Sequence, residues 1–259
     1  MKIAIITGAS SGLGEKLLCE TQKRFSLDEI WIIARREARL EALAEKCAGA
    51  AKIVPVPLDL TDYASYDKLS AMLEEKKPEI FALINNAGFG KLGNMIDMTY
   101  PAQAGMVDLN CRALTAVTTV CLPYMKKREG KEKVSSFVLN TCSIASFAPN
   151  PKMTVYCSTK AYVLSFTKSL RFELRGTGIN VCAVCPGPMA TEFLDVAGIT
   201  GNSKTFDTLP YCDPEKVAAG ALKAANAGRN VYTPKAFYKF YRFLAKLLPH
   251  SLVMHMSKT

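Results

Sequence analysis

A chain of 259 residues, 49% hydrophobic and 22% charged, can bury about three quarters of its unfolded surface around one sheet. It holds no Gly/Ser-rich or Pro-rich linker and no fixed-period repeat, which excludes solenoids and tethered modules. The formal net charge of +10 is dispersed and accompanied by no recognition motif, which argues against nucleic acid as a partner.

In chain order, the first apolar run, 3–6, flows into Thr7-Gly8-Ala9-Ser10-Ser11-Gly12-Leu13-Gly14 and then a helical pattern. Glycines in such a turn let backbone N–H groups approach a pyrophosphate at a helix N-terminus. The spacing Gly-x-x-x-Gly-x-Gly differs from the commonest dinucleotide fingerprint. Further strands are predicted over 29–34, 52–56, 80–85, 134–141 and 180–185, with a short one near Asn230. Nearly continuous apolar strands between helix-length segments predict a Rossmann-like, doubly wound parallel α/β sheet in one domain. Thr99-Tyr100-Pro101 and Asp213-Pro214 read as capped helix starts, the first opening a long helix. The charged run 126–133 reads as a solvated connection.

The second strand ends in Ala34-Arg35-Arg36. An acid there would favour NAD, whereas Arg35 and Arg36 can pair with a 2′-phosphate and point to NADP. Farther along, Tyr156 and Lys160 stand one helical turn apart, so the ammonium rises on the same face as the phenol. A free phenol titrates near pKa ~10, and a neighbouring cation should lower it. Ser143, thirteen residues upstream of Tyr156, could hold the substrate oxygen that Tyr156 protonates or deprotonates.

Nine cysteines and a first strand that begins at once, with no signal peptide before it, suggest a reducing cytoplasm and no disulfide framework. Cys182 and Cys185 on one strand would face opposite sides and cannot act as a redox pair. Cys111, Cys142 and Cys157 each adjoin a candidate catalytic residue, so thiol modification is expected to inhibit. His250 and His255 alone support neither a metal site nor a His-based triad.

Together these segments resemble the short-chain dehydrogenase/reductase family, in which Thr-Gly-x-x-x-Gly-x-Gly, Asn-Asn-Ala-Gly, a Ser, Tyr-x-x-x-Lys and Pro-Gly succeed one another. Here they stand as Thr7 to Gly14, Asn85-Asn86-Ala87-Gly88, Ser143, Tyr156/Lys160 and Pro186-Gly187, with Asn110 matching the family's fourth catalytic residue. The likeness covers roughly residues 1–232. It implies a catalytic set of Asn110, Ser143, Tyr156 and Lys160, and an NADP(H) cofactor held by Gly8, Ser10, Ser11, Gly12, Leu13 and Gly14. It also implies Asp59 and Leu60 near the adenine, Asn86, Ala87 and Gly88 beside the adenosine half, and Pro186, Gly187 and Thr191 at the nicotinamide. Tyr156 would exchange a proton with the substrate oxygen that Ser143 orients. Lys160 would tune Tyr156 and hold ribose hydroxyls, and Asn110 would fix a proton-relaying water.

By the same likeness, 189–212 is a substrate lid. Its Met189, Phe193, Leu194, Val196, Ile199, Phe206 and Leu209 suggest an apolar ketone or aldehyde. The extension 234–259 is amphipathic, with Phe237, Phe240, Tyr241, Leu244 and Leu248 on one face and Lys235, Lys239, Arg242 and Lys246 on the other. Packing against the domain or another subunit is the favoured expectation, and peripheral membrane contact through 235–248 the lesser one. The family's usual assemblies imply a homodimer or homotetramer. A non-catalytic NADP(H) sensor or scaffold, or an alcohol dehydrogenase working oxidatively, are the alternative readings.

Overall fold

Residues 1–127, 134–201 and 203–256 are described by the computed structural model. Their strands are β1 (Lys2–Thr7), β2 (Glu29–Ala34), β3 (Lys52–Pro57), β4 (Glu79–Asn85), β5 (Ser136–Thr141), β6 (Ile179–Val184) and β7 (Val231–Tyr232). All pair in parallel in one sheet, in the order β3-β2-β1-β4-β5-β6-β7. The helices are α1 (Gly12–Arg24), α2 (Glu37–Lys46), α3 (Ala64–Lys76), α4 (Tyr100–Val107), α5 (Ala113–Cys121), α6 (Thr154–Glu173), α7 (Glu192–Val196), α8 (Lys204–Thr208), α9 (Pro214–Asn226), α10 (Ala236–Leu247) and α11 (His250–Met256).

Strand alternation explains why the runs are apolar at nearly every central position. Ile3 and Ile5 of β1 pack with Trp31, Ile33 and Leu83 beneath Leu69, Leu73 and Val117 of α3 and α5. Ala4 and Ile6 point the other way, with Ile30, Ile32 and Ile84, toward Leu17, Leu18, Ala221 and Leu222 of α1 and α9. Both faces of the sheet are therefore covered, as a doubly wound sheet requires. Strand order reverses between β1 and β4, so a crevice opens beyond their C-terminal ends at Thr7 and Asn85.

Most boundaries fall within two residues of the sequence expectation, and several details differ. Thr99 precedes α4 but makes no side-chain cap, while Asp213 accepts from the Glu215 N–H at 2.9 Å and caps α9. The long helix predicted after Thr99 is continuous but widens by one residue per turn over Asp108–Arg112 before α5 resumes. Cys19 of α1 is paired with Cys47 at the end of α2, Cα atoms 5.7 Å apart, a single pairing that the sequence reading did not foresee. The other seven cysteines are free and buried. Cys182 and Cys185 lie in different core clusters on opposite faces of the sheet, as expected. Residues 128–133 of the charged run lie outside the described residues. Among the described residues, no helix is long and apolar enough to cross a membrane, and no cluster of His, Cys, Asp and Glu could hold a metal.

Candidate active site

The glycine turn after β1 is built without side chains where backbone meets backbone. Gly8 and Gly12 hold φ values of +65° and +57°, left-handed conformations that glycine adopts without strain. A Cβ on Gly14 would run into the Gly8 carbonyl, so α1 can start only this close to the turn with glycine there. Thr7 Oγ1 accepts the Asn86 and Ala87 N–H groups at 3.0 and 3.1 Å, and the Asn86 side chain donates to the Gly8 carbonyl at 3.0 Å. The β1 and β4 ends are thereby locked together beside the N-terminus of α1, a place suited to a pyrophosphate.

Gly8, Ser10, Ser11, Gly12 and Leu13 line one end of a cavity of about 810 Å³. Arg35, Arg36, Asp59 and Leu60 border that end, and Asn86, Ala87, Gly88, Pro186, Gly187 and Thr191 line its course toward Ser143, Tyr156 and Lys160. Nearly all of the residues singled out in sequence therefore share one cavity. Gly14 and Asn110 do not line it and stand behind it. This continuous groove, glycine-floored at one end and bearing proton-transfer groups at the other, fits an extended dinucleotide.

Asn110 sits in the widened turn of the helix and is 2% exposed. It donates to the Phe89 carbonyl at 2.9 Å and accepts the Phe89 N–H at 3.0 Å, so its amide mimics a strand pairing and fixes the loop after Gly88. It also donates to Thr159 Oγ1 at 3.0 Å. Widened turns recur at functional sites because they turn a side chain out of the regular helical row.

Tyr156 and Lys160 occupy adjacent turns of α6, with the Lys160 ammonium 5.7 Å from the Tyr156 ring centroid. Lys160 donates to the Thr141 carbonyl at the end of β5, at 2.9 Å. Burial pushes the Tyr156 phenol well above its ordinary value, and a hydrogen bond with Ser143 opposes that rise. Burial lowers the Lys160 ammonium. Desolvation thus outweighs the depression of Tyr156 expected from Lys160, whose ammonium is hydrogen-bonded to the Thr141 carbonyl. Ser143 takes extended backbone just past β5, and its Oγ accepts from the Ala145 N–H at 3.1 Å. Behind it lies Cys142. Burial opposes ionisation of that thiol, but hydrogen bonding with Cys185 and the nearby Lys160 ammonium bring it below its ordinary value.

At the opposite end, Arg36 donates to Ser10 Oγ at 3.3 Å. Glu192, the first residue of α7, lies 3.0 Å from the Arg39 guanidinium and 3.7 Å from that of Arg36. Burial raises the Asp59 carboxyl, but hydrogen bonds from Thr61 and the charge of Arg35 hold it below its usual range. Arg39 and Glu192 are residues that sequence reasoning missed. Arg39 lies in the first turn of α2, four residues past Arg35 in sequence, the one signal that could have found it.

Of the apolar residues expected to contact substrate, Met189, Phe193, Leu194, Val196, Phe206 and Leu209 line the cavity, while Ile199 is buried away from it. Phe193 stacks obliquely on Tyr156, ring centroids 5.6 Å apart. The C-terminal extension contributes Phe237, Tyr238, Phe240, Tyr241 and Leu244 to the same cavity. Tyr238 was not foreseen. Its ring occupies the space a Cβ on Gly187 would need, and its hydroxyl donates to the Pro210 carbonyl at 2.9 Å.

The family model described as short chain dehydrogenase matches residues 2–199. Oxidoreductase UcpA of Salmonella typhimurium is 32% identical over 224 residues, spanning 86% of this chain and 80% of the relative. Among solved structures, a short-chain dehydrogenase from Sphingobium yanoikuyae in complex with NADPH superposes with a TM-score of 0.79. It is 28% identical, over 91% of this chain and 89% of that one. The bulky-bulky ketone specific alcohol dehydrogenase from Comamonas testosteroni gives a TM-score of 0.75 at 28% identity, over 95% and 92% of the two chains.

Proposed function

The chain belongs to the short-chain dehydrogenase family, and from that premise we propose that it reduces a bulky apolar ketone or aldehyde with NADPH. The observation that carries this reading is one largely apolar cavity lined both by Ser143 and Tyr156 and by Arg35 and Arg36. NADPH, when bound, supplies a hydride to the carbonyl carbon.

The protein's own residues bind, orient and move one proton. The turn from Gly8 to Gly14 offers backbone N–H groups to the pyrophosphate, and Arg35 and Arg36 offer guanidinium donors to the 2′-phosphate. Ser143 Oγ donates to the substrate oxygen, and Tyr156 transfers its phenolic proton to that oxygen as negative charge develops there. Lys160 stabilises the phenolate left behind, and solvent returns the proton. Asn110 acts through the Phe89 backbone, holding the loop beside Gly88 in register. The segment 189–212 serves as a lid whose Phe193, packed on Tyr156, excludes water and selects for apolar substrate.

The Sphingobium enzyme was solved in complex with NADPH and the Comamonas enzyme is specific for bulky-bulky ketones, and both support this reading. Fluorescence titration of the purified chain with NADPH and NADH tests the cofactor. NADPH should bind about tenfold or more tightly, an advantage that Arg36→Ala removes. Equal affinity for the two would refute the preference.

A further inference from the structure

Helix α10 carries apolar side chains on two sides. Tyr238 and Ala245 face inward and are buried, and Tyr241 packs on Phe147 with ring centroids 6.3 Å apart. Phe237, Phe240, Phe243 and Leu247 instead point outward, 54%, 60%, 57% and 64% exposed. At 3.6 residues per turn these four fall within an arc of about 120°. Three phenylalanines and a leucine in one exposed row are an interaction surface, because isolated apolar residues are ordinary on a protein exterior and contiguous ones are not.

Charge decides what that row fits. From Lys216 to its end the chain has eight Lys or Arg and no Asp or Glu. Lys235, Lys239 and Lys246 are exposed along the edge of the row, and with Arg242 they take part in no ion pair among the described residues. A two-fold pairing of this face with itself would set basic edge against basic edge, which disfavours a second copy. With twelve residues, α10 is too short to span a bilayer. An aromatic row bordered by uncompensated lysines matches a surface of anionic headgroups over acyl chains.

We propose that α10 is a docking face for an anionic lipid surface. Phe237, Phe240, Phe243 and Leu247 enter the headgroup and acyl boundary, and Lys235, Lys239 and Lys246 meet the phosphates. Phe237 and Phe240 also line the cavity that holds Tyr156. Docking therefore places the rim of the cavity at the bilayer, where an apolar substrate concentrates. This last step rests on the function proposed above; lipid binding itself does not.

Co-sedimentation of the full chain with phosphatidylglycerol/phosphatidylcholine vesicles and with pure phosphatidylcholine vesicles, at low and high salt, separates the possibilities. The protein should bind the anionic vesicles at low salt and be released by salt. Lys239→Gln/Lys246→Gln should weaken binding about thirtyfold. Phe243→Ser/Leu247→Ser should weaken it about tenfold or more. Both changes lie outside the cavity lining, so circular dichroism and reduction of a water-soluble ketone should stay at wild-type level. The proposal is overturned if wild-type protein stays with the supernatant at low salt, or if neutral vesicles bind it as well as anionic ones. It is equally overturned if both double variants bind undiminished. A native mass that halves in Phe243→Ser/Leu247→Ser, without vesicle binding by the wild type, would assign the face to a second copy. Failure of ketone reduction together with intact vesicle binding would refute the catalytic reading alone.

Discussion

Burial acts in opposite directions on Tyr156 and Lys160, raising the phenol and lowering the ammonium. A phenol held above its ordinary value stays protonated through neutral pH, which is the form that donates a proton to a nascent alkoxide. A second residue-scale consequence concerns Glu192, whose carboxylate lies against Arg39 and against Arg36, one of the two guanidinium groups proposed to hold the 2′-phosphate. Two anions cannot share those donors without repulsion. Because the pair is about half exposed, its worth is small, on the order of 1 kcal/mol or less. Glu192→Gln is accordingly expected to tighten NADPH about two- to fivefold in an equilibrium titration while leaving NADH unchanged. Weaker NADPH binding would show instead that Glu192 helps to shape the pocket.

At the scale of elements, the Pro186-Gly187 turn and α10 depend on each other. The Tyr238 ring fills the space of a Gly187 side chain, and the Tyr238 hydroxyl bonds the Pro210 carbonyl. Gly187→Ala should cost about 1–3 kcal/mol in chemical denaturation, as overpacked sites do. Tyr238→Leu should recover part of that loss in the double variant, and additive losses would contradict the contact. Such a dependence is invisible in sequence, because Gly187 and Tyr238 are far apart in the chain and either residue alone has an ordinary explanation. The strands were legible for the opposite reason. Burial on both faces of the sheet demands apolar residues at most positions, and a glycine or proline stands at or near the ends of β1, β3, β4 and β6. The order of the motifs disclosed the site, since Thr7, Asn86 and Ser143 stand at or just past the C-terminal ends of β1, β4 and β5, and Tyr156 lies in the first turn of α6, which follows β5. What escaped was tertiary: the Cys19–Cys47 pairing between α1 and the end of α2, the Glu192 contact, and the widened turn that sets Asn110 behind the cavity rather than in it. Thr99 misled because its hydroxyl has the right position for a cap but makes no such bond.

For the molecule as a whole, the parallel sheet brings the glycine turn of β1, the loop after β4, Ser143 past β5 and the Pro-Gly turn past β6 into one crevice at its C-terminal edge. Helices α7, α8 and α10 then close an apolar chamber over that edge. This arrangement puts the glycine turn, Ser143 and the Pro-Gly turn on the sheet ends, Tyr156 and Lys160 on α6, and the apolar side chains over them on the peripheral helices. The proposed preference for bulky ketones rests on the apolar lining of that chamber. The most direct measurement is NADPH consumption by the purified chain across a panel of apolar ketones, aldehydes and 3-ketoacyl thioesters, with Tyr156→Phe run beside it. Turnover of bulky apolar members is expected, falling by about 10²-fold or more in Tyr156→Phe with NADPH binding retained. Near wild-type turnover in that variant would contradict the assignment of Tyr156 as the proton donor.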